Sequence, residues 1–271
     1  MALTATATQG FEFVRYTTDY EVLWVPGDPG DAIIKGDLMV AGIQSAGVTG
    51  LYDRSADSQA IHGLPGIAQK TVTITAATTA GFPKLSPRAS DGYSWGDLDS
   101  DVIKTLVPIR PLVPAGVPIL KATFANHWDD TVLVYNASTP SLELTTGMTA
   151  DDYPNGGLIY VYEGTGAGQW NVVDDYDHTG HSDGDLCLVL VRKFNTALDS
   201  TSKIIVLGGE AVAHYGIGFG SRLDQDDENA LDCSDGANNG QFVVYADARD
   251  IVTYLKNLTL PVIPAGLLAM A

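Results

Sequence analysis

The sequence predicts an all-β protein. Short runs rich in Val, Ile, Thr and Tyr recur along it, each bounded by Gly, Pro, Asp or Asn. Its 29 glycines and 13 prolines supply the turns between them. Nowhere does an apolar 3.6-residue period last for four turns, and no fixed-period repeat points to a solenoid or propeller.

The strands are expected at Phe11–Tyr16, Glu21–Val25, Thr71–Thr75, Thr131–Tyr135, Leu158–Tyr162, Trp170–Asp174, Leu186–Val191, Lys203–Leu207 and Gln241–Tyr245. In Thr71–Thr75 the two apolar residues share one face, as in a half-exposed strand, whereas Leu186–Val191 is apolar throughout and reads as buried on both faces. Five prolines lie between Ser86 and Pro118. Each lacks a donor for a ladder and holds its predecessor extended, so this stretch reads as an extended connection. One helix is expected near the end. Asp250 is placed to cap it, and Ile251, Tyr254, Leu255 and Leu258 follow at i, i+3, i+4 and i+7 before Pro261.

These elements compose two sandwich or barrel-like units, a short C-terminal helix and extended terminal arms. Residues 1–121 form an N-terminal β domain with its arm and Pro-rich connection, and residues 122–271 form a C-terminal β domain with an apolar tail. The Thr/Ala-rich start lacks the basic and apolar regions of a secretory signal and reads as a thin arm. The stretch Leu258–Ala271 is interrupted by Pro261 and Pro264 and is too short to span a bilayer, so it reads as a tail that packs on something. The chain is accordingly expected to be made in the cytoplasm, and to act there or in an assembly released from there.

Composition narrows the partners. Of 271 residues, 15 are Lys or Arg and 33 are Asp or Glu, a net charge of −18. That field repels phosphate backbones and anionic lipid, so nucleic acid and membrane are poor partners. Only Cys187 and Cys233 are present, too few for a disulfide framework, and Cys187 lies in an apolar run as a small buried hydrophobe.

The motifs that could carry chemistry are weak ones. Gly164-Thr-Gly-Ala-Gly168-Gln169 has the glycine density of a phosphate loop, but no Gly-Lys-Ser/Thr follows and no helix opens after it. A strand follows at Trp170, so the motif reads as a hairpin turn. Gly216–Gly220 likewise lacks the strand and helix of a dinucleotide site. Asp174–Asp185 gathers five aspartates and two histidines. Such oxygen-rich loops suit Ca²⁺, yet EF-hand spacing is missing, and a solvated loop is the expected state here and at Asp224–Asp232. No Gly-x-Ser-x-Gly elbow, His-Glu-x-x-His or Cys-x-x-Cys occurs, and His62, His127 and His214 stand alone. Neither catalysis nor a cofactor is expected. Trp95 and Trp128 stand in polar contexts that suit interface anchors or caps on a core.

Residues 151–177 run Asp-Asp-Tyr-Pro-Asn-Gly-Gly-Leu-Ile-Tyr-Val-Tyr-Glu-Gly-Thr-Gly-Ala-Gly-Gln and close on Asp-Asp-Tyr-Asp177. This pattern resembles structural proteins of tailed bacteriophages, in which an Asn-Gly turn, an apolar strand, a Gly-Thr-Gly-Ala-Gly-Gln turn and a second strand follow one another. It departs from them at Trp170, where a basic or small residue is usual. Ile34–Val40, with Gly47-Val-Thr-Gly50 and Gly63-Leu-Pro-Gly-Ile67, is similar to the β-rich decoration, or cement, proteins of phage capsids. The resemblance implies a virion protein on the outer head surface, made in the host cytoplasm. It would bind across adjacent major capsid subunits, with itself as a homotrimer, and stabilise the shell. The residues expected to make contact are Leu3, Trp95, Trp128, the turn residues Gly164, Gly166, Gly168 and Gln169, and the tail residues Leu260, Val262, Ile263, Leu267 and Leu268. A tail, neck or shell subunit fits the same turn, and a carbohydrate-binding β protein using Trp95 or Trp128 is the rival of another class.

Overall fold

A computed structural model describes residues 10–15, 22–27, 32–43, 49–54, 65–73, 106–112, 118–124, 127–149, 151–182, 184–208, 217–219, 221–226, 230–232, 242–245 and 250–265. Among these residues the architecture is all-β with one short C-terminal helix.

The chain enters through β1 (Glu12–Arg15). A first β body follows, built from β2 (Leu23–Pro26), β3 (Ala32–Ile33), β4 (Leu38–Ile43), β5 (Thr49–Arg54), β6 (Gly66–Ala68), β7 (Val72–Thr73) and β8 (Leu106–Pro111). Five of these form an antiparallel sheet in the order β2-β8-β6-β4-β5, and β3 pairs with β7. Its core is Val25, Ile33, Met39, Ala68, Val107 and Ile109. Part of the expected Pro-rich connection is thus a strand, β8, lying between β2 and β6. Proline forbids donation but not extension, and the Pro108 carbonyl still accepts from the Gln69 N–H (2.8 Å).

The turn before β4 ties this body to the chain start. Gly36 has φ +99°, and its Cα lies 2.7 Å from where a Cβ on Gly10 would stand. Only two glycines allow backbones this close, and the approach lets the Phe11 N–H reach the Gly36 carbonyl at 2.9 Å.

Next comes β9 (Ile119–Phe124), whose burial alternates strictly. The second body follows it: β10 (His127–Asn136), β11 (Ser141–Leu144), β12 (Leu158–Glu163), β13 (Trp170–Asp177), β14 (Cys187–Leu190) and β15 (Lys203–Leu207). These close into a barrel in the order β10-β11-β14-β13-β12-β15. Closure is possible because two long strands each serve two neighbours. Residues 127–131 of β10 pair with β15 and 132–136 with β11, while β13 passes from β12 to β14. Leu142, Leu144, Ile159, Val161, Leu188, Ile204 and Val206 fill the interior.

The last segment contributes β16 (Arg222–Asp226), β17 (Ala230–Asp232), β18 (Phe242–Val244), the helix α1 (Ile251–Leu255) and β19 (Thr259–Pro264). Thr123 of β9 pairs with Ala230 on one edge and Thr259 on the other. The strands β9-β17-β16-β18-β19 therefore close on themselves, with β1 laid against β9. Strands from both sides of residue 121 build this ring, residue 121 itself lies within β9, and the other two bodies are inserted between its strands.

Two terminal expectations need correction. The stretch expected to be an extended apolar tail packing on something is, over Thr259–Pro264, a strand buried at every position. It is held between β18 and β9, with Leu260 and Val262 in the main core. The helix packs with this strand: Ile251 and Leu255 of α1 belong to the same core as Leu260 and Val262. The helix also stops at Leu255 rather than Leu258, because Leu258 takes φ +49°, which the helix cannot continue. Asp250 occupies the cap position, but its side chain makes no cap hydrogen bond; its carbonyl accepts the Thr253 N–H instead.

The expected two-sided burial of Leu186–Val191 holds at the adjacent Cys187 and Leu188, both fully buried, and fails toward the end of the run. Val189 is half-exposed and Val191 is 60% exposed. Within the barrel, β12 and β15 are buried on both faces over most of their length, and their outward Leu158, Tyr160, Ile205 and Leu207 pack into the core shared with the ring.

Candidate contact surface

The motif that resembles virion proteins folds as the hairpin β12–β13. Gly164, Gly166 and Gly168 have φ of +81°, +80° and +95°, a left-handed series closed to other residues without strain. A Cβ on Gly164 would overlap the Thr201 carbonyl, and one on Gly166 would overlap Leu198. The turn is this tight because it clamps the loop 191–202. Thr165 donates its hydroxyl to Asp199 Oδ2 (2.7 Å), and Thr201 donates its hydroxyl to Asp199 Oδ1 (2.6 Å) and its N–H to the same oxygen (2.8 Å). Ser202 Oγ donates to the Thr165 carbonyl at 2.7 Å. Gln169 bridges the two segments, its Nε2 donating to the Thr196 carbonyl and its Oε1 accepting the Thr196 N–H. The Thr201 and Thr165 hydroxyls hold the Asp199 carboxyl below its usual range. Beside it, Lys203 Nζ lies 3.0 Å from Glu163 Oε1, lowering the carboxyl pKa and raising that of the ammonium.

The expected contact residues Gly164, Gly166, Gly168 and Gln169 therefore share one turn. The polar groups of Thr165 and Gln169 are turned inward on the protein's own loop. The partner loop, Thr196 to Ser202, is what sequence reading missed: its Thr, Asp and Ser pattern is complementary to the turn, but the complement lies more than 25 residues away.

Acidic residues likewise serve the backbone. Asp130 Oδ2 accepts the N–H groups of Thr146 and Gly147, Asp151 Oδ1 that of His178, and Asp185 Oδ1 that of Gly180. Asp175 accepts from Asn155 Nδ2 at 2.9 Å. Among the described residues no three of His, Cys, Asp and Glu are grouped to hold a metal ion. Of Gly216–Gly220, residues 217–219 are described, and Phe219 stands edge-on to Trp170 at 5.7 Å.

Trp128 lies on β10, half-buried against the barrel core. Trp170 is covered by the Arg192 guanidinium, 4.9 Å from its ring centroid. Among the described tryptophans the exposed one is Trp24 on β2, 59% exposed with Lys70 Nζ 6.0 Å from its ring; sequence reading passed over it. Leu260, Val262 and Ile263 are core residues rather than surface contacts. Leu3, Trp95, Leu267 and Leu268 lie outside the described residues.

A different surface stands out on the barrel. A bulge between Val132 and Val134 carries both Leu133 and Val134 outward, 50% and 51% exposed. Val134 pairs with Glu143, Glu143 with Cys187, and Ser141 with Val189, so Val134, Glu143 and Val189 share one face with Ser141 and Cys187, which are buried. Val191 follows in the bend after β14 and is 60% exposed.

No protein-family model, curated protein or solved structure matches the chain.

Proposed function

We propose that this protein is a structural component of a tailed-phage virion, a decoration protein. It binds the outer surface of the head across adjacent major capsid subunits as a homotrimer. The observation that carries the reading is the sequence pattern of residues 151–177. Its support from the fold is that the pattern coincides with one complete unit, the Asn-Gly turn, β12, the glycine turn and β13 of a closed barrel. A closed barrel leaves no free strand edge within it and suits repeated, rigid packing on a shell. The acidic charge suits solubility at high copy number and an outer position, away from packaged DNA. Binding several capsid subunits at once turns weak contacts into stable occupancy, since each later contact is intramolecular.

The test is light scattering after size exclusion, followed by co-sedimentation with expanded empty phage capsids. A discrete trimer that moves into the capsid fraction is the expected result. A discrete species that ignores capsids overturns the reading, and spontaneous shells or tubes replace it with a principal building subunit.

A further inference from the structure

We infer that Asn155 is a modification site, a side-chain amide that the folded barrel keeps intact and that deamidates once the turn leading into β12 opens. Asn155 is followed by Gly156. With no Cβ beside it, a glycine nitrogen is the backbone nitrogen least hindered from reaching the preceding side chain. The reaction is intramolecular. The Gly156 nitrogen gives up its proton and bonds to Asn155 Cγ, the Cγ–Nδ2 bond breaks, and Nδ2 leaves with that proton as ammonia. Water then opens the cyclic imide at either carbonyl, and residue 155 becomes an aspartate or an isoaspartate.

In the fold every participant is held elsewhere. The Gly156 N–H, which must be freed before the nitrogen can attack, donates to the Val173 carbonyl of β13 at 2.9 Å. Asn155 Nδ2 donates to Asp152 Oδ1 and to Asp175 Oδ1, each at 2.9 Å. These two acceptors fix the amide's orientation, since the reversed amide would set its oxygen against both carboxylates. Asn155 Oδ1 is buried without a hydrogen-bond donor, so nothing stabilises the negative charge that this oxygen takes on during attack. The backbone is pinned as well. The Gly157 N–H donates to the Pro154 carbonyl at 2.8 Å, and the Gly156 carbonyl lies so close under Gly218 that a Cβ there would overlap it.

Conversion runs one way. An aspartate at 155 has no N–H to offer, and it sets a third carboxylate against Asp152 and Asp175, where like charges at hydrogen-bond distance oppose the closed turn. Deamidation therefore marks chains whose barrel has opened and hinders its reclosure.

The test incubates the full chain at mildly alkaline pH, folded and in urea, and follows residue 155 by peptide mass mapping, with isoaspartate detected by enzymatic methylation. Asn239-Gly240 is the sequence's other Asn-Gly pair and serves as the internal reference in urea. The two sites are expected to convert at similar rates in urea. In the folded protein Asn155 should convert about tenfold more slowly than in urea, or slower still, because a hydrogen-bonded turn is open for only a small fraction of the time. Asp175→Ala removes one of the two carboxylates and should raise the folded rate while leaving the urea rate unchanged. If that variant does not fold, Asp152→Gly, which suits the φ of +67° there, takes its place. Conversion as fast in the fold as in urea overturns the inference, as does an Asn155 that stays an amide in urea while Asn239 converts, or a folded rate unmoved by the variant. Asn155→Asp should melt below Asn155→Ala, because both lose the donor and only the first adds a charge; equal melting temperatures would overturn the barrier to reclosure.

Discussion

Replacing Gly164 by Ala, with Gly168→Ala as its control, tests whether the glycine turn is a clamp. Both residues have positive φ, +81° and +95°, so each substitution incurs the left-handed penalty of about 1–2 kcal/mol. Their surroundings differ. A Cβ at 168 meets nothing within 4 Å, whereas one at 164 runs into the Thr201 carbonyl and the Ser202 nitrogen. Moving that backbone disturbs the Ser202 Oγ bond to the Thr165 carbonyl and the Thr165 bonds to Asp199 and Thr201. At about 0.5–1.5 kcal/mol for each hydrogen bond, Gly164→Ala should cost about 2–4 kcal/mol more than its control. For a chain of this size that is a Tm difference of about 5–15 °C. Thermal melts followed by circular dichroism, with Trp fluorescence as a second probe, measure it. Equal losses in the two variants would refute the clamp and leave the motif a turn of conformational preference only.

Leu260→Ala should destabilise by about 2–5 kcal/mol in a denaturant titration, as a buried core truncation does, and deletion of residues 259–271 should abolish folding rather than merely weaken assembly. Tyr176→Phe removes a hydroxyl that accepts the Met148 N–H (2.7 Å) and donates to the Met148 carbonyl (2.8 Å). The Met148 carbonyl keeps His178 Nδ1 at 2.7 Å, so the N–H is the group left buried and unpaired, at a cost of about 1–3 kcal/mol read from the same titration. The Asp199 pKa is lowered in the fold, so its contribution is present above the ordinary carboxylate range near pH 4 and is lost as pH falls through the lowered value. Melts from pH 6 down to pH 2 should therefore fall less steeply in Asp199→Asn than in wild type; parallel curves would show that the carboxylate is not held by its hydroxyl donors.

Local order was legible wherever one short stretch decides it. The β12–β13 hairpin could be read from Gly164 to Gln169, because the turn demands residues that tolerate positive φ and only glycine does so freely. The strands at 158, 170 and 203 were legible from their β-branched runs. The candidate surface was not. Leu133 and Val134 both face outward only because of a bulge against β11, and Val191 lies in a run that is apolar from 186 onward, with nothing local to separate its exposed end from its buried middle.

By itself the sequence determined that the protein is β-rich, where its tightest turn falls, that it is strongly acidic, and that one short helix lies near its end. Tertiary structure alone decided that β9 is shared by the chain's two ends, and that Thr259–Pro264 is a core strand rather than an arm. The physical reason is the same in each case. A turn is specified by backbone conformations within a few residues, whereas the partner along a strand's edge, and the layer over its face, come from segments a hundred residues or more away that pair only once the chain has closed.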